Sequence, residues 1–135
     1  MLTANSDKVF DPIRKKWLVA TPEERVRQVV LTWMFDNLPF PKNRYRTEFS
    51  LEVNNLRKRC DILVFDEAVK PLFLVECKAP NIPINDEVLY QALRYNYTLQ
   101  VAYILITNGL DSFLYQLDYT TGSYNSIEFS DLLKN

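Results

Sequence analysis

The clearest pattern along the chain is a pair of apolar segments, Ile62 to Phe65 and Leu72 to Val75, separated by the polar stretch Asp66 to Pro71. Two short apolar runs around a polar turn predict a β-hairpin. Both runs lack polar alternation, which marks strands covered on two faces. A third continuous run, Val101 to Thr107, predicts a further buried strand. Tyr45 to Val53 instead alternates, with Phe49, Leu51 and Val53 on one face and Glu48 and Glu52 on the other, and Ser112 to Leu117 reads as another strand. Asp11 to Val19 predicts a short strand or extended arm.

Helical signals are equally local. In Thr21-Pro-Glu-Glu, Thr21 reads as the N-cap, Pro22 as the first helical residue and Glu24 as the partner completing a capping box. The helix is expected to run to Asp36 or Asn37, with Val26, Val29, Val30, Trp33 and Met34 facing inward. On that wheel Glu23 lies near the inward face and Glu24 points away. Asn85 is expected to cap a second helix from Asp86 to about Leu99. Because this second helix links the hairpin's second strand to the run at Val101, those two strands are expected to be parallel, with a right-handed crossover. The tail from Thr121 predicts a turn at Thr121-Gly122 and a short helix near Ser130 to Leu133.

The hairpin also carries the chemistry. If its turn is centred between Ala68 and Val69, Asp61 lies opposite Glu76, and opposed side chains share a sheet face about 4.5–5.5 Å apart at Cβ. Lys78, two residues on from Glu76, points the same way. Two carboxylates and an ammonium at one end of a hairpin suit a Mg²⁺-assisted phosphodiester hydrolysis, in which hard oxygens hold the ion and a lysine positions water or offsets developing charge. A surface ion pair between strands is the alternative. Charges closing buried strands cost several kcal/mol unless paired or metal-bound, which weighs towards a site. By the same register Cys60 and Cys77 oppose each other on the reverse face, as a reduced thiol pair.

Asp61 followed by Glu76-Cys77-Lys78 on the next strand resembles the PD-(D/E)XK nuclease superfamily. More narrowly, Asp11-Pro-Ile-Arg-Lys-Lys, Pro22-Glu-Glu-Arg-Val-Arg-Gln28, Glu76-Cys-Lys-Ala-Pro80, Gln91-Ala-Leu-Arg-Tyr95-Asn and Thr107-Asn-Gly109 are together similar to the N-terminal nuclease domain of type I restriction enzyme R subunits, in a stand-alone version. The match runs from about Phe10 to about Tyr115. Cys60 stands where the superfamily's name has proline, a position that supplies no ligand.

The resemblance implies Mg²⁺, for which Mn²⁺ can substitute, held by Asp61, Glu76 and the Cys77 backbone carbonyl, with Lys78 positioning water. It also implies a first-helix glutamate beside the metal; the wheel favours Glu23 for this and leaves Glu24 to the cap, unless both merely favour the helix dipole. Gln91 and Tyr95, one turn apart, resemble a Gln-x-x-x-Tyr motif that supports the site, although amphipathic packing also accounts for Tyr95.

Composition narrows the field further. The 135 residues suffice for one domain, and 47% hydrophobic with 24% charged residues is ordinary for a globular protein. Without histidine, Ser-His-Asp, Cys-His and His-rich zinc chemistry are excluded. With glycine only at 109 and 122 there is no phosphate-cradling loop. Net charge is −1, yet six basic residues lie between Lys42 and Cys60, among them Arg57-Lys58-Arg59 just before Asp61. These either meet a phosphate backbone or are solvated loop charge. Arg14 to Lys16 is open to the same two readings.

The expectation is one α/β domain spanning 1–135, restriction-endonuclease-like, with a mixed sheet of about five strands flanked by helices, an N-terminal arm over 1–20 and a tail over 121–135. Its expected activity is metal-dependent DNA hydrolysis in restriction, defence or DNA processing. The alternative is a catalytically silent module of the same fold that binds DNA or a protein partner. Expected partners are DNA, restriction-modification or helicase subunits, and a second copy in a homodimer. No apolar leader or membrane span is read, so a cytoplasmic setting is expected.

Overall fold

The structure is a computed structural model and describes residues 7–132. Met1 to Ser6, the tail from Leu133 and the side chain of Val53 lie outside the described residues, and with them the expectations for the start of the arm, the last residue of the tail helix and the facing of Val53.

Two strands, β1 (Lys8–Asp11) and β2 (Lys16–Val19), form an antiparallel hairpin of their own, where the sequence suggested one strand or an arm. Asp11 builds its turn. The carboxylate accepts from the backbone N–H of Ile13 (2.8 Å) and Arg14 (3.0 Å), and Lys15 takes a left-handed φ of 56°. Arg14 Nε (2.8 Å) and the Thr47 hydroxyl (2.6 Å) also donate to Asp11, so the hairpin is tied to the main sheet through a buried acid. Burial alone would lift the Asp11 pKa, but these donors outweigh it and hold it below the usual carboxylate range. Arg14 is thus engaged internally and not spent on a phosphate.

Helix α1 (Pro22–Asn37) begins as expected, with the Thr21 hydroxyl accepting from Glu24 N at 3.1 Å. The main sheet then runs through β3 (Tyr45–Val53), β4 (Leu56–Phe65), β5 (Pro71–Cys77), β6 (Tyr103–Thr107), β7 (Ser112–Asp118) and β8 (Ser123–Ser126), adjacent in that order. Every neighbouring pair is antiparallel except β5 and β6, which are parallel and joined through α2 (Asp86–Asn96). Asn85 caps α2 by accepting from Val88 N at 3.0 Å, and a 3₁₀ turn over Tyr97–Leu99 follows. A short α3 (Phe129–Leu132) closes the described chain.

The sheet therefore has six strands where about five were expected. The extra one is β8, whose residues Ser-Tyr-Asn-Ser are all exposed and carry no alternation to detect. Strand β4 also begins earlier than its apolar run. Arg57, Lys58 and Arg59 belong to it, paired with β3 across a two-residue turn in which Asn54 and Asn55 have φ of 52° and 65°. Positive φ at both positions is the hairpin geometry that asparagine tolerates.

The central hairpin has the expected register at Ile62–Val75, Leu63–Leu74 and Val64–Phe73, and slips by one residue only next to the turn, at Phe65–Pro71. One face of the sheet packs Ile62, Val64, Phe73, Val75 and Cys77 against Val26, Leu31 and Met34 of α1. The other packs Leu63, Leu74, Ile104 and Ile106 against Leu89, Ala92 and Leu93 of α2. Asn108 braces the loop after β6. Its carbonyl accepts from Leu110 N and Asp111 N, and its amide donates to Ile82 O in the loop before α2.

Alternation breaks at one place, and the break shapes the site. In β3, Tyr45 lies in the α1-side core but Phe49 and Leu51 in the α2-side core, although all three are odd-numbered. In β4, Ile62 and Val64 are on the α1 side and Cys60 on the α2 side. Both strands change face across Glu48 and Asp61, which lie between the paired residues Thr47–Ile62 and Phe49–Cys60. Glu48 has φ 45°, a conformation that costs a non-glycine residue about 1–2 kcal/mol. Cys60 and Cys77 consequently sit in different cores, both as free thiols, and do not form the same-face pair that strict alternation implied.

Candidate active site

The break opens a cleft of about 280 Å³ at the end of β4 and β5, lined by Glu23, Glu48, Arg59, Asp61, Glu76, Cys77, Lys78 and Asn96, among others. The regular β4–β5 pairing ends at Ile62–Val75. Asp61 and Glu76, expected to oppose each other on one sheet face, instead flank the opening and are engaged from opposite sides, because β4 changes face at Asp61 and β5 does not change at Glu76. Asp61 accepts from Arg27 NH2 of α1 at 2.7 Å and from Cys77 N at 2.7 Å. Glu76 accepts from Asn96 Nδ2 of α2 at 3.2 Å and lies 3.4 Å from Lys78 Nζ. The cleft is thus bounded by α1 on one side and α2 on the other.

Arg27 is the hub on the α1 side. Only 2% exposed, it contacts Asp61, Glu48 (2.6 Å), Glu24 and, at 3.6 Å, Glu23. Burial disfavours its charge, but the hydrogen bond and charge of Asp61, with Glu24 and Glu48, more than compensate and raise its pKa. The second Glu48 oxygen accepts from Arg59 Nε at 2.7 Å, so Glu48 bridges a buried and an exposed guanidinium.

This network corrects the helical wheel. Glu24, expected to face away and cap the helix, is 8% exposed, and its carboxylate accepts from Arg27 and from Gln28 Nε2. The Thr21 N–H it was to receive goes to Val19 O. Val29, expected inward, is 68% exposed. The buried residues of α1 are Glu24, Val26, Arg27, Leu31 and Met34, so Val26 and Met34 face inward as expected, and counting apolar residues alone missed the rest because the first turn and a half buries charge. Glu23 does line the cleft, and burial followed by the nearby Asp61 charge raises its pKa.

Of the seven residues singled out from sequence, Asp61, Glu76, Cys77, Lys78 and Glu23 meet in this cleft, and Gln91 and Tyr95 stand outside its lining. Gln91 is exposed and bonds Glu87 at 3.5 Å. Tyr95 stacks under Lys58 Nζ, 3.9 Å from the ring centre, and its carbonyl accepts from the same ammonium. The residue of α2 that reaches the cleft is Asn96, buried and adjacent in sequence to Tyr95. Asn96 was missed, Arg27 stood in the resembling motif without a role, and Glu48, placed on the polar face of its strand, was read as exposed surface and not as part of the site. An arginine inside an otherwise apolar helical stripe was the one signal available for Arg27; for Glu48 no periodicity argument works, because the strand changes face there.

The donors around the cleft are carboxylate and carbonyl oxygens, the set that suits Mg²⁺ and not zinc or copper. Asp61 and Glu76 with the Cys77 carbonyl are the groups that would hold such an ion. Among the described residues no three acidic or cysteine side chains are grouped closely enough to hold a metal by themselves, so the backbone carbonyl and waters would complete the shell.

Both cysteine thiols favour the protonated form, which is a poor metal ligand. Burial, with the Asp61 and Glu76 charges, pushes the Cys60 thiol to about 12, and Cys77 is raised well above its usual value by burial and Asp61. Among the described residues no helix is long and apolar enough to cross a membrane.

Comparison with known proteins agrees with the fold. Residues 22–129 match the family described as type I restriction enzyme R protein N terminus. A solved fragment described as an HsdR subunit of a type I restriction enzyme, from Vibrio vulnificus YJ016, is 23% identical with a TM-score of 0.54, over 78% of this chain and 22% of that one. The present chain thus spans about a fifth of that solved chain, and the likeness shows a shared fold. Among curated proteins none matches. With four-fifths of its residues inside the family match, this chain belongs to the type I restriction enzyme R protein N-terminal family.

Proposed function

We propose that the domain is a metal-dependent phosphodiester hydrolase of the PD-(D/E)XK type that cuts DNA in a restriction system. The observation that carries this reading is the convergence of Asp61, Glu76 and Lys78 on one cleft. Mg²⁺ bound there would supply positive charge to the phosphate and acidify a water. Lys78, beside Glu76 and partly exposed, donates to the attacking water or to a phosphate oxygen as charge builds on it. Arg59, 71% exposed at the mouth, meets the incoming backbone. Arg27 and Asn96 hold the two acids from opposite helices and fix their orientation. Two free, buried thiols are in keeping with a reducing cytoplasm, and the R-subunit family supports restriction-modification subunits as partners.

One observation favours a second reading. Both oxygens of Asp61 are already engaged, by Arg27 and by the Cys77 N–H, as in a structural ion pair that needs no metal. A domain of that kind would bind DNA or a partner subunit without cutting.

Supercoiled plasmid separates the two. The native chain is expected to nick it with Mg²⁺ or Mn²⁺ and not in EDTA, and Lys78→Ala to lower the rate by about 10²–10³-fold, the usual cost of removing one transition-state donor. Absence of nicking with either ion, or an unchanged rate in Lys78→Ala, would refute the hydrolase and favour the silent module.

A further inference from the structure

Next to the cleft, around the C-terminal end of α2, lies a second cavity of about 280 Å³, lined by Tyr90, Leu93, Arg94, Tyr97, Leu117, Gly122 and Tyr124. We infer that it is a stacking site for an unpaired base of single-stranded DNA lying next to the cleavage centre, an inference that rests on the nuclease reading above.

Three observations carry it. First, Tyr90, Tyr97 and Tyr124 are 53%, 42% and 45% exposed, a concentration of aromatic surface that packing does not require. Tyr90 and Arg94 lie one turn apart on α2, Tyr97 at the start of the following 3₁₀ turn continues that face, and the exposed strand β8 brings Tyr124 to the same cavity.

Second, the rings are braced. Tyr97 packs edge-on against Tyr119 with centroids 5.2 Å apart, Tyr124 packs likewise on Tyr115 at 5.8 Å, and the Arg94 guanidinium sits over Tyr90 at 5.6 Å. Tyr119 is itself fixed by donating to Val101 O at 2.6 Å. Walls held in place before a ligand arrives lose little entropy on binding. Gly122, with φ 71°, supplies the left-handed turn at the rim beside the Tyr97 hydroxyl.

Third, size and charge suit a base carrying a phosphate. The volume falls just short of drug-sized cavities, with Leu93 and Leu117 as an apolar floor and Arg94 as the one charged lining residue. Planar faces beside a guanidinium are how single strands are held without sequence preference. Asn96 lines the cleft and Tyr97, the next residue, lines this cavity, so the two sites are neighbours around the end of α2 and a single strand leaving one can reach the other.

The test is fluorescence anisotropy with a labelled 15-mer of dT and a 15-base-pair duplex, in EDTA so that no cleavage is needed. The native chain is expected to bind the single strand more tightly than the duplex. Tyr90→Ala and Tyr124→Ala each weaken single-strand binding about tenfold with the thermal melt unchanged, and Tyr124→Phe retains it. Arg94→Gln lowers the slope of log affinity against log salt by about 0.7. Equal affinity for duplex and single strand, or alanine variants within twofold of native, overturns the inference and leaves the cavity to a side chain of a protein partner. Loss of nicking with intact, tyrosine-dependent binding would instead count against the hydrolase alone.

Discussion

Arg27→Gln is the perturbation that most directly tests how the site is held together. In the folded chain one guanidinium faces four carboxylates, those of Glu23, Glu24, Glu48 and Asp61, and two of its contacts are 2.6 and 2.7 Å. Removing it leaves Glu24, 8% exposed, to the Gln28 amide at 3.0 Å and to Arg14 at 3.9 Å, while Glu48 keeps Arg59 and, like Asp61, some solvent, and loses less. Breaking a buried pair costs about 3–5 kcal/mol, and the partly solvated partners put the expectation near 3 kcal/mol. For a domain of this size that is a fall of roughly 10 °C in Tm.

The loss should depend on pH. Burial and the Asp61 charge already raise the Glu23 pKa, and Arg27 opposes them, so Glu23 rises further without it. A carboxyl with a folded pKa above its unfolded value destabilises the fold once ionised, so the deficit appears as pH rises through the folded value and shrinks below it. Urea unfolding of both proteins in EDTA from pH 4 to 8 measures this. Adding Glu24→Gln to Arg27→Gln should recover at least 1 kcal/mol at pH 7, because the most deeply buried carboxylate charge that faced Arg27 is gone. A single variant within about 1 kcal/mol of native at pH 7, or a deficit that is flat with pH, would show that Arg27 does not organise the cleft.

Other outcomes rest on the same contacts. Asp11 has a lowered pKa, so its contribution is complete above its unfolded value of about 3.9 and disappears as pH falls through the lower folded value; Asp11→Asn should flatten acid unfolding between about pH 5 and 2, as followed by circular dichroism. With the Cys60 thiol pushed up to about 12, on the order of one Cys60 in ten thousand is thiolate at pH 8, Cys77 is raised well above its usual value by burial, and Ellman's reagent should label both cysteines only on unfolding; rapid labelling of the native chain would contradict their burial. Gly109→Ala places a Cβ 3.3 Å from Val26 Cγ2 at φ 89° and is expected to cost about 1–2 kcal/mol in urea melts. Asn85→Ala removes the α2 cap and should cost about 1 kcal/mol.

The sequence by itself determined what depends on neighbours along the chain. Pro22 after Thr21, Asn85 before α2, the unbroken run at Val101 and the hairpin register pairing Ile62 with Val75 each rest on local propensity or on a two-residue period, so α1, α2, the β6 run and the central hairpin were legible. Asp61, Glu76 and Lys78 were legible for the same reason, since register puts them at one end of one hairpin, whereas Glu23 and the Cys77 carbonyl rested on the family resemblance.

Only the tertiary structure decided where the faces lie. Glu48 in a left-handed conformation turns β3 and β4 over together, moving Cys60 to the α2 core and sending Asp61 to Arg27. A period of two cannot foresee its own interruption. The buried stripe of α1 escaped for a related reason, because Glu24 and Arg27 satisfy one another and Asp61 inside the protein, and a charged pair reads as surface until its partners from other strands are known. Strand β8 escaped because an edge strand of exposed polar residues is held by its neighbour's hydrogen bonds and by nothing in its own pattern.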